Sequence, residues 1–356
     1  MEAQKLPPFI MPSARASALG GNHAAQGDDF SSIFSNPAAF AGIEKQFSAA
    51  EISLGVTGPI FEMIDTAIRQ SGDISTMIAT EDFALGFDVG GPIALGFVNN
   101  GFGFGFFNRT VMDIETLPFI PMTMPRLKAS AWEEVFLVGG YSFRVLDRER
   151  HKLDIGVLGK AYYRLMLALE DDADVFFGAF GSFMSIPLQT HFGMGFDLGI
   201  RYSFNDMLTV AISGYDVYSP ALVTTYPAFS DYPKTGTQSY NTVQPRLAVG
   251  ALFRYSSEFL ERYISEIAVM LDYNDFFFLF LDPGRHPLLN LSLGLEITML
   301  KILKLRAGMA EVLPSGGFGI DMTFMILDVG VRGRQLGKKI GEKSAFAMDI
   351  GFLFRY

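Results

Sequence analysis

The sequence predicts an all-β fold: a transmembrane antiparallel β-barrel of about 14 strands that follows an N-terminal plug segment. Hydrophobic residues make up 49% of the chain, and the mean hydropathy is +0.26. No segment approaches the ~20 consecutive apolar residues of a membrane-spanning helix, so the apolar content is spread over short segments. The chain has 35 Phe, 37 Gly and 1 Trp, which is typical of strands and not of helices.

Strict alternation of side-chain type is the main evidence for these strands. From Phe346 to Tyr356 every even position is apolar or aromatic, whereas the odd positions include Asp349, Gly351 and Arg355. Successive strand side chains point to opposite faces, so one face suits lipid and the other suits a barrel interior. The pattern recurs at 192–202, 246–255, 266–273, 291–298 and 318–324. A soluble sandwich rarely keeps one face this aromatic, which favours the barrel.

The predicted inner face carries charges of both signs. Such charges either pair across strands, holding the wall and the plug together, or form a selectivity filter. The candidate lumen-facing residues are Asp154, Lys160, Asp197, Arg201, Arg254, Asp272, Glu296, Arg306, Asp321, Asp349 and Arg355.

Several stretches do not alternate. Residues 1–47 are rich in Ala, Gly, Ser and Asp and are expected to form a separate hatch or plug segment, with the barrel spanning 48–356. Residues 59–71 have the apolar spacing of a short helix. The Pro-containing stretches 111–130 and 217–243 are predicted to be long loops that face the exterior.

Composition excludes several kinds of function. The chain has no Cys, so no disulfide or thiolate site is available. Its net charge of −10 argues against nucleic acid as a partner. The 4 His are scattered without metal-ligand spacing or a nucleophile motif, so we predict no catalytic residue, cofactor or metal. Residues 1–8 lack the apolar core of a secretory signal, and we expect a mature form with an added Met.

The N-terminal stretch contains the most specific motifs. An Ala- and Arg-containing run leads through Gly20-Gly21 and the acidic pair Asp28-Asp29 to Asn36-Pro37-Ala38. This order resembles the N-terminal segment of the FadL-like outer-membrane transporters. The resemblance implies a barrel plugged by an N-terminal hatch, through which hydrophobic compounds such as long-chain fatty acids pass. It places Gly20, Gly21, Asn36, Pro37 and Ala38 in the hatch. Taken alone, Asn-Pro also begins ordinary turns.

The resemblance is specific in residues 14–40 and architectural afterwards. This chain is shorter than the better-known fatty-acid transporters, so their ligand-pocket residues do not transfer to it. Tyr356, with Phe354 and Phe352 at two-residue spacing, resembles the C-terminal signature that barrel-assembly machinery recognises. We therefore expect a location in the bacterial outer membrane, contact with its lipid, and that machinery as a partner during biogenesis.

Two functions follow from these patterns. The first is outer-membrane transport of hydrophobic small molecules, which the resemblance implies are fatty acids, through a hatch-plugged barrel without enzymatic activity. The second is a non-transporting barrel that serves a secretion complex or binds a partner through its exterior loops. An apolar groove behind the hatch would favour transport, whereas a sealed polar lumen would favour the second function.

Overall fold

The computed structural model describes residues 6, 8–27, 33–43, 45–59, 83–117, 126–172, 183–234, 236–256, 263–277, 280, 284–342 and 344–355. The predicted helix at 59–71 lies almost wholly outside these residues, as does Tyr356. Within them, no helix is both long and apolar enough to span a bilayer.

Antiparallel strands make up most of the described chain. Most of these strands alternate apolar residues with small or polar ones, as the sequence predicts. The strands are β1 (Gln46–Gly58), β2 (Ala84–Asn99), β3 (Phe102–Thr116), β4 (Arg126–Arg148), β5 (His151–Asp172), β6 (Leu188–Phe204), β7 (Leu208–Tyr218), β8 (Pro220–Tyr226), β9 (Thr237–Thr242), β10 (Arg246–Tyr255), β11 (Ile264–Tyr273), β12 (Leu291–Met299), β13 (Leu303–Ala310), β14 (Leu313–Asp321), β15 (Met325–Gln335) and β16 (Ser344–Arg355).

The sheet closes on itself because β1 pairs with β16 and β5 pairs with β6. Strands β7 and β8 are consecutive and both pair with β6, so they form one interrupted wall strand. Strands β9 and β10 likewise form one interrupted wall strand, since β9 pairs with β8 and β10 pairs with β7. The 16 described strands therefore build 14 wall strands, which confirms the predicted closed barrel.

The prediction of a long loop at 217–243 was wrong. Strands β8 and β9 occupy much of that range and leave 227–236 as the connection. Pro220 misled the interpretation, because proline is tolerated at the first residue of a strand beside an interruption. The predicted loop at 111–130 is also shorter than expected, since β3 continues to Thr116 and β4 begins at Arg126.

The outer surface is an apolar belt. Along β6, Phe192, Met194 and Phe196 are exposed, while the intervening Gly193 and Gly195 are buried. The same alternation continues through the other strands, including the Gly- and Phe-rich start of β3. A closed barrel leaves no unpaired sheet edge in the hydrocarbon region. Together with the apolar belt on the outer surface, this closure allows the barrel to span a bilayer.

The two ends of the barrel differ. Tight turns join strands at one end, here called the turn end, for example at Asn100–Gly101 and Asn205–Asp206. Longer connections lie at the opposite loop end, including 227–236 and 274–290. In outer-membrane barrels the short turns face the periplasm and the long loops face the exterior.

The described residues before β1 lie inside the barrel. Leu6 forms a parallel bridge with Val243, and at the other limit of this segment the Ile43 carbonyl accepts a hydrogen bond of 3.1 Å from the Asn100 amide. Between these points are the helix α1 (Ala14–Ala18) and a 3-10 helix (Pro37–Gly42). The described residues from Leu6 to Ile43 are called the N-terminal segment below.

Candidate functional site

Strands β12, β13 and β15 anchor the N-terminal segment through a chain of buried charges. Arg15 of α1 donates to both carboxylate oxygens of Glu296, at 3.1 and 2.9 Å. Glu296 also accepts from Arg306 at 2.6 Å, and Arg306 donates to Asp328 at 2.5 Å. Two of the predicted lumen-facing residues, Glu296 and Arg306, thus connect the segment to the wall. Removing one member of such a network leaves an unpaired buried charge.

Asp272 and Asp349 provide two further attachments. His23 Nδ1 lies 2.5 Å from an oxygen of Asp272, and the Ala24 amide donates to the other oxygen at 2.7 Å. Both side chains of the His23–Asp272 pair are fully buried. The Ser17 hydroxyl donates to Asp349 of β16. Each of these carboxylates therefore accepts from the N-terminal segment.

Glycines on the inner wall let the N-terminal segment approach the strand backbone closely. Gly20 requires its glycine for two reasons: its φ is +82°, and a Cβ there would lie 2.6 Å from the Met309 carbonyl oxygen. Gly21 also has a positive φ, of +140°. Wall glycines whose Cβ would meet the segment are Gly90, Gly103, Gly140, Gly156, Gly199, Gly294, Gly308, Gly317, Gly330 and Gly351.

Asn36-Pro37-Ala38 begins the 3-10 helix of the segment. The Asn36 side chain accepts from the Ala38 amide at 2.9 Å and donates to the Ala24 carbonyl at 3.0 Å. Pro37 occupies the first helical position, where its missing N–H costs nothing. The Asn36 oxygen fills the space in which a side chain at Gly199 would stand. The motif therefore caps a helix and also fits the wall.

An aromatic cluster joins the N-terminal segment to β3, β4 and β5. The Phe34 ring lies 4.8 Å from Phe107, edge to face, and Phe107 stacks on Phe136 at 5.3 Å. The Phe9 ring lies 3.9 Å from Tyr162 and 6.3 Å from Phe136. Apolar and aromatic packing thus dominates this side of the lumen.

The remaining predicted lumen-facing residues pair mostly within the wall. Lys160 contacts Asp197 at 2.8 Å and Asp216 at 2.7 Å. Arg201 is buried beside Gly27 and Gly42 of the N-terminal segment. Three others pair with a neighbouring strand: Asp154 with Arg144 at 2.8 Å, Arg254 with Glu266 at 3.5 Å, and Asp321 with Lys304 at 3.9 Å. Arg355 ends β16, and its side chain is outside the described part.

A cavity of about 270 Å³ opens between the N-terminal segment and the loop end of the barrel. Its apolar wall includes Phe34, Phe136 and Leu158. Its polar wall carries 5 cationic and 3 acidic side chains: Lys160, Arg246, Arg285, Arg332 and Arg334, with Asp197, Asp275 and Glu311. The cavity is therefore amphipathic, and three of its cations are paired: Lys160 with Asp197 at 2.8 Å, Arg285 with Glu311 at 3.2 Å, and Arg246 with Asp216 at 3.9 Å.

Several of these arginines keep unused donors. The Nε atoms of Arg246, Arg285 and Arg332 are buried and have no hydrogen-bond partner among the described residues. Burial raises the pKa of Asp275, which lies beyond the end of β11, although Arg246 and Arg285 act to lower it. The arrangement suits an anionic group entering from the loop end.

Sequence reasoning missed Arg246, Arg285, Arg332 and Arg334 as candidate site residues. Arg332 and Arg334 follow Gly330 at two-residue spacing, so extending the alternation of β15 would have placed them on the inner face. Arg285 lies in the connection between β11 and β12, where no periodicity exists. Its position depends on how that connection folds over the barrel end.

The pairing between β1 and β2 is interrupted, although the two backbones stay close, since a Cβ at Gly91 would clash with the Glu51 carbonyl oxygen. Pairing stops between Ser48–Gly96 and Ser53–Gly90, and β2 contains the Gly91-Pro92 bond within this gap. Asn108 of β3 accepts a hydrogen bond of 3.0 Å from the Ile93 amide, replacing a lost ladder bond. On the inner side, a Cβ at Gly90 would lie 3.1 Å from Met11 and from Pro12. The N-terminal segment thus backs the gap.

Comparison with solved structures gives the same architecture. The toluene transporter TbuX of Ralstonia pickettii matches with a TM-score of 0.55 at 13% identity, over 98% of each chain. The toluene transporter TodX of Pseudomonas putida matches with a TM-score of 0.50 at 11% identity, over 99% of each chain. A TodX mutant described as a monoaromatic hydrocarbon channel gives a TM-score of 0.52 at 11% identity, over 97% of this chain and 98% of that chain.

No protein-family model and no curated protein matches the sequence. These similar structures are described as channels and transporters. At 11–13% sequence identity, the similarity to these structures shows a shared fold. The predicted resemblance is confirmed at that level: the chain is a 14-stranded barrel of the outer-membrane type with a FadL-like fold.

Proposed function

We propose that this protein carries hydrophobic compounds across the outer membrane and that its N-terminal segment is the hatch. The observation that carries this proposal is the amphipathic cavity at the loop end, whose floor includes Phe9, Gly20 and Phe34 of that segment. The named structural neighbours transport toluene or conduct monoaromatic hydrocarbons, which supports hydrophobic cargo of some kind.

We further propose long-chain fatty acids as the cargo class. A carboxylate would bind Arg332 and its neighbouring arginines, while the first part of the acyl chain would pack on Phe34, Phe136 and Leu158. At about 270 Å³ the cavity is slightly smaller than a usual ligand site. A complete long chain therefore requires additional space, which displacement of the hatch would provide.

The interruption between β1 and β2 is the proposed exit. Met11 and Pro12 lie behind it, so a hatch that withdraws from the cavity also uncovers the gap. An apolar cargo would then leave into the membrane and avoid the charged turn end of the lumen. This route links cargo binding at the loop end to release through the wall.

The test is binding and uptake of radiolabelled palmitate by the purified protein in liposomes, compared with a variant lacking residues 1–40. We expect saturable uptake by the intact chain, stronger binding as the acyl chain lengthens, and altered uptake in the deletion variant. Each buried CH₂ is worth about 0.8 kcal/mol. A folded barrel that binds no palmitate would contradict fatty acid as cargo and favour the partner-binding alternative.

A matched pair of variants tests the arginines. Arg332→Gln and Arg334→Gln should each weaken palmitate binding by about 10- to 150-fold, since a charge-assisted hydrogen bond is worth about 1.5–3 kcal/mol. Binding of cetyl alcohol should change little, because it has no carboxylate. Arg126→Gln is the control, since Arg126 is exposed and pairs with Glu170 outside the cavity.

A further inference from the structure

The barrel wall is short on the side formed by β12, β13 and β14. These strands have 9, 8 and 9 residues, whereas β4 and β5 have 23 and 22. A strand that crosses a membrane needs about 9–11 residues when it is tilted by about 45°. At a rise of about 3.3 Å per residue, β13 spans a height of about 19 Å, which is less than the apolar band of about 25 Å on such barrels. The turns that flank β13 therefore fall near the edges of the hydrocarbon region.

The connections on this side expose apolar residues at both ends of β13. At the turn end, the connection between β12 and β13 leaves Leu300 and Ile302 61% and 52% exposed. At the loop end, the two-residue turn between β13 and β14 leaves Val312 36% exposed. The connection between β14 and β15 leaves Phe324 64% exposed. Clustered apolar side chains of this kind mark contact with a membrane or with another protein. Strands β12–β14 and these connections are called the short side below.

Two of these residues occupy a backbone conformation that their side chains disfavour. Leu300 has a φ of +52° and Val312 has a φ of +66°. Asn, Asp and Gly are the usual residues with positive φ in tight turns, as at Asn205 and Asp206 between β6 and β7. A β-branched residue such as Val312 is a genuine outlier there. The geometry of the turns therefore does not account for Leu300 and Val312, and a contact outside the barrel does.

The charged residues of the two turns fit the boundary of a bilayer. Glu311 precedes Val312, and its carboxylate lies 3.2 Å from Arg285 and accepts from the Gln335 amide at 2.6 Å. Lys301 follows Leu300 and is exposed, so its long side chain can carry the ammonium group to water. A paired carboxylate and an extended ammonium are the charges that an apolar boundary tolerates.

We infer that the short side contacts a locally thinned bilayer and that its turns lie among acyl chains at the two edges of the hydrocarbon region. The partner is the lipid beside β12–β14, whose chains are shorter or more compressed than those around the rest of the barrel. Thinning of the bilayer is a usual response to a short hydrophobic span. The inference goes beyond the proposed function and depends on the membrane location alone, and not on any cargo.

Spin labelling tests the depth of the turns. The chain has no Cys, so single-Cys variants of the full chain each carry one nitroxide in phosphatidylcholine vesicles. Labels on Leu300→Cys and Val312→Cys should collide with oxygen, which concentrates in hydrocarbon, in preference to the water-soluble nickel complex of EDDA. Asn205→Cys is the matched control, because Asn205 lies in a polar tight turn at the same end as Leu300. Its label should show the opposite preference.

Two results would overturn the inference. A preference for the nickel complex at Leu300→Cys or Val312→Cys would place that turn in water. Infrequent collision with both reagents would show that protein covers the turns, for example a second copy of this chain. Phe324→Cys covers a folding defect, since the positive φ of that connection belongs to Thr323 and not to Phe324. Its label should also prefer oxygen.

Bilayer thickness tests the thinning itself. The double variant Leu300→Asn/Val312→Asn should lower the midpoint of thermal unfolding, and the loss should be larger in dierucoyl- than in dimyristoleoyl-phosphatidylcholine, because a thicker bilayer draws the polar turns deeper. Asn tolerates positive φ, so the backbone does not cause the loss. Equal losses in the two lipids would contradict thinning. Palmitate uptake is a separate measurement, so failure of the transport proposal remains distinguishable from failure of this one.

Discussion

The N-terminal segment is held differently by the two sides of the barrel. Toward β11–β16 it is attached through buried ionic and polar contacts, with Glu296, Asp272 and Asp349 as acceptors. Toward β3–β5 it packs through the rings of Phe9 and Phe34. These two sets of contacts are called the ionic side and the aromatic side.

The two sides differ in whether a hydrophobic cargo could replace the contacts of the N-terminal segment. Breaking an ionic contact exposes an unpaired buried charge, which no hydrophobic cargo can replace. Aromatic contacts consist mainly of apolar burial, and a hydrophobic cargo provides similar burial. The segment is therefore fixed on the ionic side and replaceable on the aromatic side, which is the side that forms the apolar wall of the cavity.

The largest expected effect is on the ionic side, at Glu296. Glu296→Ala leaves Arg15 and Arg306 without their shared carboxylate and should reduce the free energy of unfolding by about 3–5 kcal/mol. Urea titration in lipid vesicles measures this loss. Glu266→Ala is the control, because Glu266 is partly exposed and lies 3.5 Å from Arg254, and its loss should stay below about 1 kcal/mol. Equal losses would contradict the anchoring role of Glu296.

A second expected effect concerns the His23–Asp272 pair. His23→Leu removes the ring and leaves a fully buried carboxylate with the Ala24 amide as its remaining donor from the segment. We expect a loss of about 1–3 kcal/mol and faster hydrogen exchange in residues 14–27. A double-mutant cycle with Asp272→Asn measures the coupling between the two side chains. Additive losses would show that the pair does not act as a unit.

A third prediction uses glycine as the probe of contact on the ionic side. A Cβ at Gly330 would meet the Ala14 carbonyl oxygen, whereas a Cβ at Gly139 has no atom within 4 Å. Gly330→Ala should therefore destabilise the barrel by about 1–3 kcal/mol through overpacking. Gly139→Ala should be neutral or slightly stabilising. Equal midpoints of thermal unfolding for the two variants would contradict close packing of α1 against β15.

The sequence predicted the barrel well because alternation reports directly which face of a strand is buried. Asp272, Glu296 and Asp349 were identified as inner residues from alternation alone. Their partners Arg15, His23 and Ser17 were not, since the segment has no repeating pattern that assigns its side chains. Contacts between the alternating side chains of the strands and the N-terminal segment, which has no repeat, can be identified only from the three-dimensional structure.

The same limit applies to the cavity. Phe9 and Phe34 are two apolar residues in an irregular segment, and nothing in their spacing indicates that they meet Tyr162 and Phe107. The error at 217–243 has a related cause. Proline was taken as a sign of a loop, although β8 begins at Pro220 and pairs with β6 from Ala221 to Tyr226.

The smallest expected effect lies on the aromatic side. Phe34→Leu keeps most of the apolar volume but removes the edge-to-face contact with Phe107, so it should cost about 0.5–1.5 kcal/mol. Phe104→Leu is the control, because Phe104 is exposed on the outer belt and should change stability by less than about 0.5 kcal/mol.

Hydrogen exchange decides what the Phe34→Leu result means for the two sides. If the aromatic side yields independently, exchange should quicken around residues 33–43 and remain unchanged in α1, which the ionic contacts hold. Faster exchange throughout the N-terminal segment would show that it moves as one body. A cargo that displaced the rings would then also have to break the buried contacts of Glu296 and Asp272, and the free energy of apolar binding alone would not open the barrel.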